Sequence, residues 1–224
     1  MDHLKLNEFD MNSMTKYPMI LIITKNIDTR IKLIDRILTQ HGIRENDGLI
    51  LDSVDKFMNQ YTNAYPNAKV SHWYDQKIID NYIYHQGNYI IFDIIRNMGN
   101  IPNTTFNTLY ISLKVVIVCV SHPIMIPSYQ RHMFNYIFIA SDNYTYIYSM
   151  LHIWYKKLFP QHTNPIHIDL NNKDFLVIDN SNYDAQYINK LRWLNVIPIQ
   201  KNDKQNYPSD KEIYNGEYVL PLTI

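Results

Sequence analysis

Short aliphatic runs that alternate with helical patterns constrain the fold of this chain more than any other feature. The runs at 19–23, 89–92 and 115–120 are apolar at nearly every position, which is typical of strands buried on both faces of a sheet. After the first run, apolar residues recur with helical spacing at Ile31, Ile34, Ile37 and Leu38. Strands that alternate with helices predict a three-layer α/β fold with a mainly parallel central sheet.

The remaining segments fit one domain with two polar ends. Further strands are predicted at 48–51, 136–140 and 175–178, and helices at 75–86, 105–113, 145–159 and 185–193. The 224 residues suit a single domain with appendages. We therefore divide the chain into a polar lead-in at 1–16, a domain at 17–199 and a C-terminal tail at 200–224.

Charge and cysteine content narrow the class of protein. With 21 basic and 21 acidic residues the formal net charge is +0, so a strong overall attraction to DNA or to an acidic membrane is not expected, although a local basic groove is compatible with it. The single cysteine, Cys119, lies in an aliphatic run and is expected to be buried. No apolar run approaches the roughly 18 residues that span a membrane, and no signal peptide is visible, so we expect a protein that is not secreted.

The junction after the first strand has the layout of a phosphate-binding loop. Such a loop reads G-x-x-x-x-G-K-[ST] between a strand and a helix. Residues 24–31 fill the same eight positions, but the two glycines become Thr24 and Thr29, the lysine becomes Arg30, and the hydroxyl residue becomes Ile31. The same stretch also fits a strand–helix junction that never bound phosphate.

These replacements predict a vestigial nucleotide-binding loop. A β-branched Thr29 at a positive φ would be strained, Ile31 has no oxygen for a metal ion, and the planar fork of Arg30 does not replace a compact ammonium. Losing two or three charge-assisted contacts at roughly 1.5–3 kcal/mol each rivals most of a micromolar affinity of about 8 kcal/mol. We therefore expect that ordinary Mg-ATP does not bind.

Two other strand ends carry candidate residues. Asp93 follows a strand, as a carboxylate that orients a magnesium-bound water does, but the next residue is Ile94 and not a second acid. Asp93 equally fits a helix cap or a turn. His122 and Arg131 could face a phosphate; the alternative is that His122 caps a strand and Arg131 pairs with a surface acid. No confident metal site is predicted, Asp93 being at most a vestigial ligand.

Taken in order, these segments resemble the virion DNA-packaging ATPases of large DNA viruses, the poxvirus-type branch of the FtsK/HerA superfamily. The resemblance covers roughly residues 18–196 and rests on the order and spacing of MILIITKNIDTRIKLIDRIL, the segment from GLILD to YIYHQ, YIIFD, VIVCVSHPIMIPSYQRHMFNYIFI and DFLVIDN. It implies a P-loop-NTPase-like fold. It also implies that Ser121, or else His122, is at the family's sensor position, that Arg131 is at its arginine, and that Gln86 is the glutamine ending its second segment.

The departures from the family pattern fall at Thr24, Thr29, Arg30 and Ile31, and of the paired acids only Asp93 remains. This implies a non-catalytic virion or assembly protein that needs no cofactor, acting in the host cytoplasm (the virus factory) or in the virion. Its partners would be further copies of itself, a packaging ATPase or a virion protein, with DNA also possible. The alternatives are an active packaging ATPase that uses ATP and magnesium, and an unrelated α/β protein that binds a nucleotide or another small molecule.

Overall fold

The computed structural model describes residues 6–52, 57–71, 74–94, 101–140, 174–181 and 190–196. The strands are β1 Asn7–Glu8, β2 Met19–Ile23, β3 Gly48–Asp52, β4 Ala68–Ser71, β5 Tyr89–Ile94, β6 Val115–Val120, β7 Tyr136–Ala140, β8 Phe175–Asp179 and β9 Leu191–Leu194. The helices are α1 Ile27–Gln40, α2 Met58–Ala64, α3 Gln76–Tyr84 and α4 Asn103–Ser112, with short 3-10 turns at Met11–Ser13, Pro123–Met125 and Ser128–Met133.

These strands form a nine-stranded sheet with the order β1-β9-β8-β7-β2-β6-β5-β3-β4. Within it only the pairings of β8 with its neighbours β7 and β9 are antiparallel; the other described pairings are parallel. The sheet is therefore mainly parallel, with β8 the reversed strand. The predicted fold class, a three-layer α/β fold with a mainly parallel central sheet, is confirmed.

Each face of the sheet is covered by its own pair of helices. Leu21 and Ile23 of β2 pack with Ile79 of α3 and Phe106 of α4 in one hydrophobic cluster. The alternate residues of β2 pack with the buried face of α1 and with Tyr61 of α2 in a second cluster. Because side chains alternate across a strand, the fully apolar sequence of β2 is what both layers require.

Helix α1 begins four positions before the expected Ile31, at Ile27. Asn26 supplies the reason, since its side-chain oxygen accepts a hydrogen bond from the Thr29 N–H at 3.1 Å and caps the helix. The helix ends where expected, because Gly42 adopts a left-handed conformation with φ 65°. The connection between β2 and α1 is thus only the three residues 24–26 and not eight.

Other expectations need correction or lie beyond what the structure describes. Residues 191–194 form β9 and not the end of a helix, because they complete a ladder with β8 from Phe175↔Leu194 to Ile178↔Leu191. Strand β4 lies in a stretch expected to be a loop, and β1 lies in the polar lead-in, where it pairs with β9. The helix predicted at 145–159 and the tail at 200–224 fall outside the described residues.

The helices of the described ranges, α1 to α4, have 14, 7, 9 and 10 residues. None of them is both long enough and apolar enough to cross a membrane.

Candidate functional site

Arg30 is the centre of the candidate site. It projects from the first turns of α1, yet only 2% of it is exposed, because its side chain turns inward to the carboxyl edge of the sheet. One guanidinium nitrogen, Nη1, donates to Asp93 Oδ2 in a buried ion pair, and Nη2 donates to the Thr24 carbonyl oxygen at 2.6 Å. The guanidinium therefore joins the end of β2 to the end of β5.

Asp93 is buried within β5 and has a second donor. The hydroxyl of Tyr61, on α2, donates to Asp93 Oδ2 at 2.7 Å. The ring of Phe57, just before α2, lies 5.9 Å from the guanidinium carbon of Arg30, within the range of a cation–π contact. We call Thr24, Arg30, Tyr61 and Asp93 the arginine–carboxylate cluster.

The electrostatics of the cluster favour a permanent ion pair. Burial is the largest single effect and lowers the pKa of Arg30, but the Asp93 carboxylate together with smaller contributions from Cys119 and Tyr61 raises it by more. The net pKa therefore lies above the ordinary arginine value. Burial, and next the Asp93 charge, raise the pKa of Tyr61 well above that of a free tyrosine. Burial also raises the pKa of the Cys119 thiol, with the Arg30 charge opposing it. The tyrosine hydroxyl and the thiol thus stay protonated at neutral pH, and Arg30 stays charged.

Four backbone N–H groups at the β2–α1 junction already have acceptors within the chain. The Thr24 N–H donates to the Val120 carbonyl at 3.0 Å, and the Asn26 N–H to the Thr24 hydroxyl at 3.1 Å. The Asn26 side chain takes the Thr29 N–H, and its carbonyl takes the Arg30 N–H at 3.1 Å. A phosphate-binding loop works by presenting such N–H groups to the ligand. Here these four are used for folding.

A second buried carboxylate lies next to the cluster. Asp52 ends β3 directly beside Asp93 in the parallel register, and on the other side of Asp93 lies Cys119 of β6. All three residues are fully buried. Two atoms of the ion pair itself, Arg30 Nε and Asp93 Oδ1, have no hydrogen-bond partner among the described residues. A second buried carboxyl group, that of Asp52, therefore lies next to the carboxyl group that binds Arg30.

The structure brings together three of the sequence-predicted site residues: Thr24, Arg30 and Asp93. Thr29 and Ile31 lie inside α1, so the expected backbone strain at Thr29 is wrong; among the described non-glycine residues only Gln86 has a positive φ.

The residues predicted after β6 bond within their own loop. The Ser121 hydroxyl lies 3.5 Å from the Met125 sulfur, and the Arg131 Nε–H donates to the Ile126 carbonyl at 3.3 Å. His122 caps the 3-10 turn Pro123–Met125, its Nδ1 accepting from the Ile124 N–H at 3.2 Å, and its pKa is lowered by burial and then by the Lys25 charge. The sequence places these residues near the carboxyl edge, and the fold gives each a local structural contact.

Two residues of the site, Asp52 and Tyr61, were missed by the sequence reasoning. A signal for Asp52 exists, because GLILD repeats the pattern of YIIFD, an apolar strand closed by an aspartate. Carboxyl ends of parallel strands meet at one edge, so two such strands predict neighbouring carboxylates. The signal for Tyr61 is its spacing of four from Phe57 and from Tyr65, which places three rings on one face of a helix.

Within the described ranges, no group of three or more histidine, cysteine, aspartate or glutamate side chains is placed to hold a metal ion.

Fold and site together define a three-layer α/β protein with a mainly parallel sheet and a buried arginine–carboxylate pair at the carboxyl edge of that sheet. Two solved structures of the genome packaging NTPase B204 from Sulfolobus turreted icosahedral virus 2 are similar to it. The complex with ATP-gammaS has 10% identity and a TM-score of 0.45 over 75% of this chain and 94% of that one. The complex with sulfate has 10% identity and a TM-score of 0.48 over 82% and 98%. No protein-family model and no curated protein matches the chain. At 10% identity, and with TM-scores below 0.5, these similarities say nothing about the site of this chain.

Proposed function

We propose that this chain is a non-hydrolysing relative of the virion DNA-packaging ATPases that its sequence resembles, and that it acts as a virion or assembly protein. The observation that supports this most is the buried bond from Arg30 to Asp93. In the aligned loop, Arg30 is at the position of the phosphate-binding lysine. Asp93, in β5, is at the position of the acid that orients a magnesium-bound water in the family. In this protein the two groups bind each other, so neither is presented to a nucleotide.

The residues present do not fit a magnesium–nucleotide complex. Ile31 offers no oxygen, and a divalent cation at Asp93 would lie beside the positive guanidinium of Arg30, which repels it. A triphosphate would have to displace the cap of α1, where Asn26 holds the Thr29 N–H. We therefore derive no reaction step through ATP or magnesium and propose that neither is a resident cofactor.

In this proposal the protein acts by binding other proteins, either in the host cytoplasm at the virus factory or within the virion. A net charge of +0 supports a protein partner, such as another copy of this chain, a packaging ATPase or a virion component, more than a general affinity for DNA.

One observation favours the active alternative, a packaging ATPase with an altered loop. Asp52 provides a buried second carboxyl group beside Asp93, although from the neighbouring strand and not from the next residue. An ATPase of this kind would need Asp93 to be released from Arg30 during each cycle. Substitutions at Asp52 and Asp93 would then both abolish turnover.

The test is nucleotide binding and turnover by the whole chain. Thermal unfolding is followed with and without millimolar Mg-ATP, since a ligand at 100 times its Kd adds about 2.7 kcal/mol of stability. ATP hydrolysis is measured with and without DNA for the wild type, Asp93→Asn and Asp52→Asn. We expect no shift in the unfolding temperature and the same background hydrolysis in all three proteins. A saturable shift, or hydrolysis that both substitutions remove, would overturn the proposal in favour of the active ATPase.

A further inference from the structure

Helix α2 and its flanking aromatic residues cover the arginine–carboxylate cluster. Residues 57–65, which we call the lid segment, place the Phe57 ring over the guanidinium and the Tyr61 hydroxyl on Asp93. At the other end, the Tyr65 hydroxyl donates to the Ile31 carbonyl of α1 at 3.1 Å. Two of the three rings thus contact the two partners of the buried ion pair, and the third binds the backbone of α1.

The lid segment is anchored by few side chains. Tyr61 and Tyr65 are its buried residues, whereas Thr62 and Asn63 are exposed. The helix has seven residues, and the side chain of its N-cap, Phe57, makes no capping hydrogen bond. A helix this short is not stable in isolation, so its order depends on tertiary contacts, namely those of the two buried tyrosines and of the partly buried Phe57 and Ala64. Segments with few buried contacts open at a lower free energy than the core.

We propose that the lid segment opens locally, without unfolding of the sheet, and that this opening gives solvent access to Asp93 and to the neighbouring Cys119. The bond from Tyr61 to Asp93 is the latch. Release of Tyr61 removes one of the two hydrogen-bond donors that the described residues provide to Asp93, and the bond from Arg30 remains. The lid therefore sets how accessible the cluster is, whether or not the protein hydrolyses ATP.

The chain carries its own probe for this motion. Cys119 is its single cysteine, is fully buried, and lies beside Asp93 in the register of β6 with β5. Labelling of Cys119 by a small maleimide, followed by mass spectrometry, reports each opening that reaches the thiol. For wild-type protein we expect a labelling rate that hardly changes at low urea concentrations, because a local opening exposes little new surface, and that rises steeply only near global unfolding.

Tyr61→Phe removes the latch and keeps the ring. A hydrogen bond to a charged group corresponds to roughly a tenfold to hundredfold change in an opening equilibrium, so labelling should accelerate by roughly that factor. Tyr82→Phe is the matched control, since the Tyr82 hydroxyl bonds the Tyr89 and Asp47 carbonyls near the amino ends of β5 and β3. It should lower the urea midpoint of unfolding without changing the labelling rate in the absence of urea.

Two results would contradict the proposed local opening of the lid segment. One is a wild-type labelling rate with the same urea dependence as global unfolding; the other is equal acceleration by Tyr61→Phe and Tyr82→Phe. If Tyr61→Phe does not fold, hydrogen exchange of the wild type decides: amides of Met58–Ala64 should exchange without urea dependence while those of β5 and β6 require global unfolding. Equal protection of the amides from exchange in the two regions would exclude a local opening of the lid segment. Neither measurement involves nucleotide, so this outcome is independent of the ATPase test.

Discussion

Arg30 and Asp93 are 63 positions apart in the chain, yet the guanidinium of one donates a hydrogen bond to the carboxylate of the other inside the protein. The strand order explains the contact. α1 starts at the end of β2, Asp93 is near the end of β5, and β6 alone lies between those strands. Open α/β sheets bind their ligands at this edge. In this chain the edge is closed by an internal ion pair.

The first prediction concerns the stability that this ion pair carries. Arg30→Met keeps an unbranched side chain but removes the guanidinium, which leaves the Asp93 carboxylate buried without its counter-charge. We expect it to lower the free energy of unfolding by about 3–5 kcal/mol, measured by urea denaturation. The double variant Arg30→Met/Asp93→Leu removes both charges and should lie within about 2 kcal/mol of the wild type. A double variant as unstable as Arg30→Met would show that the loss comes from packing and not from the unpaired carboxylate.

The second prediction concerns the left-handed residue at the end of α3. Gln86 has φ 57°, a conformation that costs a side chain with a Cβ about 1–2 kcal/mol. Because glycine also adds entropy to the unfolded chain, Gln86→Gly should stabilise the protein by the smaller amount of about 0.5–1 kcal/mol. Gly42→Ala is the opposite control: at φ 65° the added Cβ meets no atom within 4 Å, so only backbone strain is introduced, and the protein should lose stability. Midpoints of thermal unfolding measure both, and a destabilised Gln86→Gly would contradict the prediction.

The third prediction concerns close packing of β3 against β5. A Cβ added at Gly48 would lie 2.1 Å from the Tyr89 ring carbon Cζ, and that ring is fully buried. Gly48→Ala should therefore destabilise the protein by about 1–3 kcal/mol in chemical denaturation. In a Tyr89→Leu background the obstructing ring is absent, so adding Gly48→Ala should cost much less. An equal cost in both backgrounds would rule out the contact as the cause.

The fourth prediction concerns pH. Burial lowers the pKa of His41, at the C-terminal end of α1, so the folded protein takes up this proton at a lower pH than the unfolded chain. The unfolded state then binds more protons below its own histidine pKa of about 6.5, and stability falls as the pH drops through that value. His41→Gln should flatten the decrease in stability between about pH 7.5 and 5.5, measured as urea midpoints. An unchanged pH profile would show that His41 is not a source of this dependence.

Much of the scaffold was predictable from short segments. The run 19–23 and the run 115–120 are apolar at every position, and such strands occur where a sheet is covered on both faces. The structure places them side by side at the centre, with Ile20↔Ile117 and Ile22↔Cys119 in register. Where a segment was short and mixed, as at 191–194, periodicity did not distinguish a strand from a helix, and pairing with β8 decided it.

Less of the site than of the scaffold could be predicted from the sequence. Template alignment placed Thr29 in a loop, but the Asn26 cap extends α1 over it. A capping side chain accepts a hydrogen bond from an N–H group of the first helical turn, which is then not available to a ligand. Alignment with a loop template does not take this alternative into account. The same alignment marked Arg30 and Asp93 as separate remnants of a binding site.

By itself, the sequence determined the fold class, the central strands and the absence, at residues 24–31, of the glycines, the lysine and the hydroxyl that a phosphate-binding loop has. Each of these depends on residue types that are near one another in the chain. Only the tertiary structure decided that Arg30 turns inward to Asp93, that Asp52 lies beside it and that Tyr61 closes over it. Those relationships depend on the order of strands in the sheet, which brings the ends of β2, β3 and β5 to one edge where buried charges must find partners within reach.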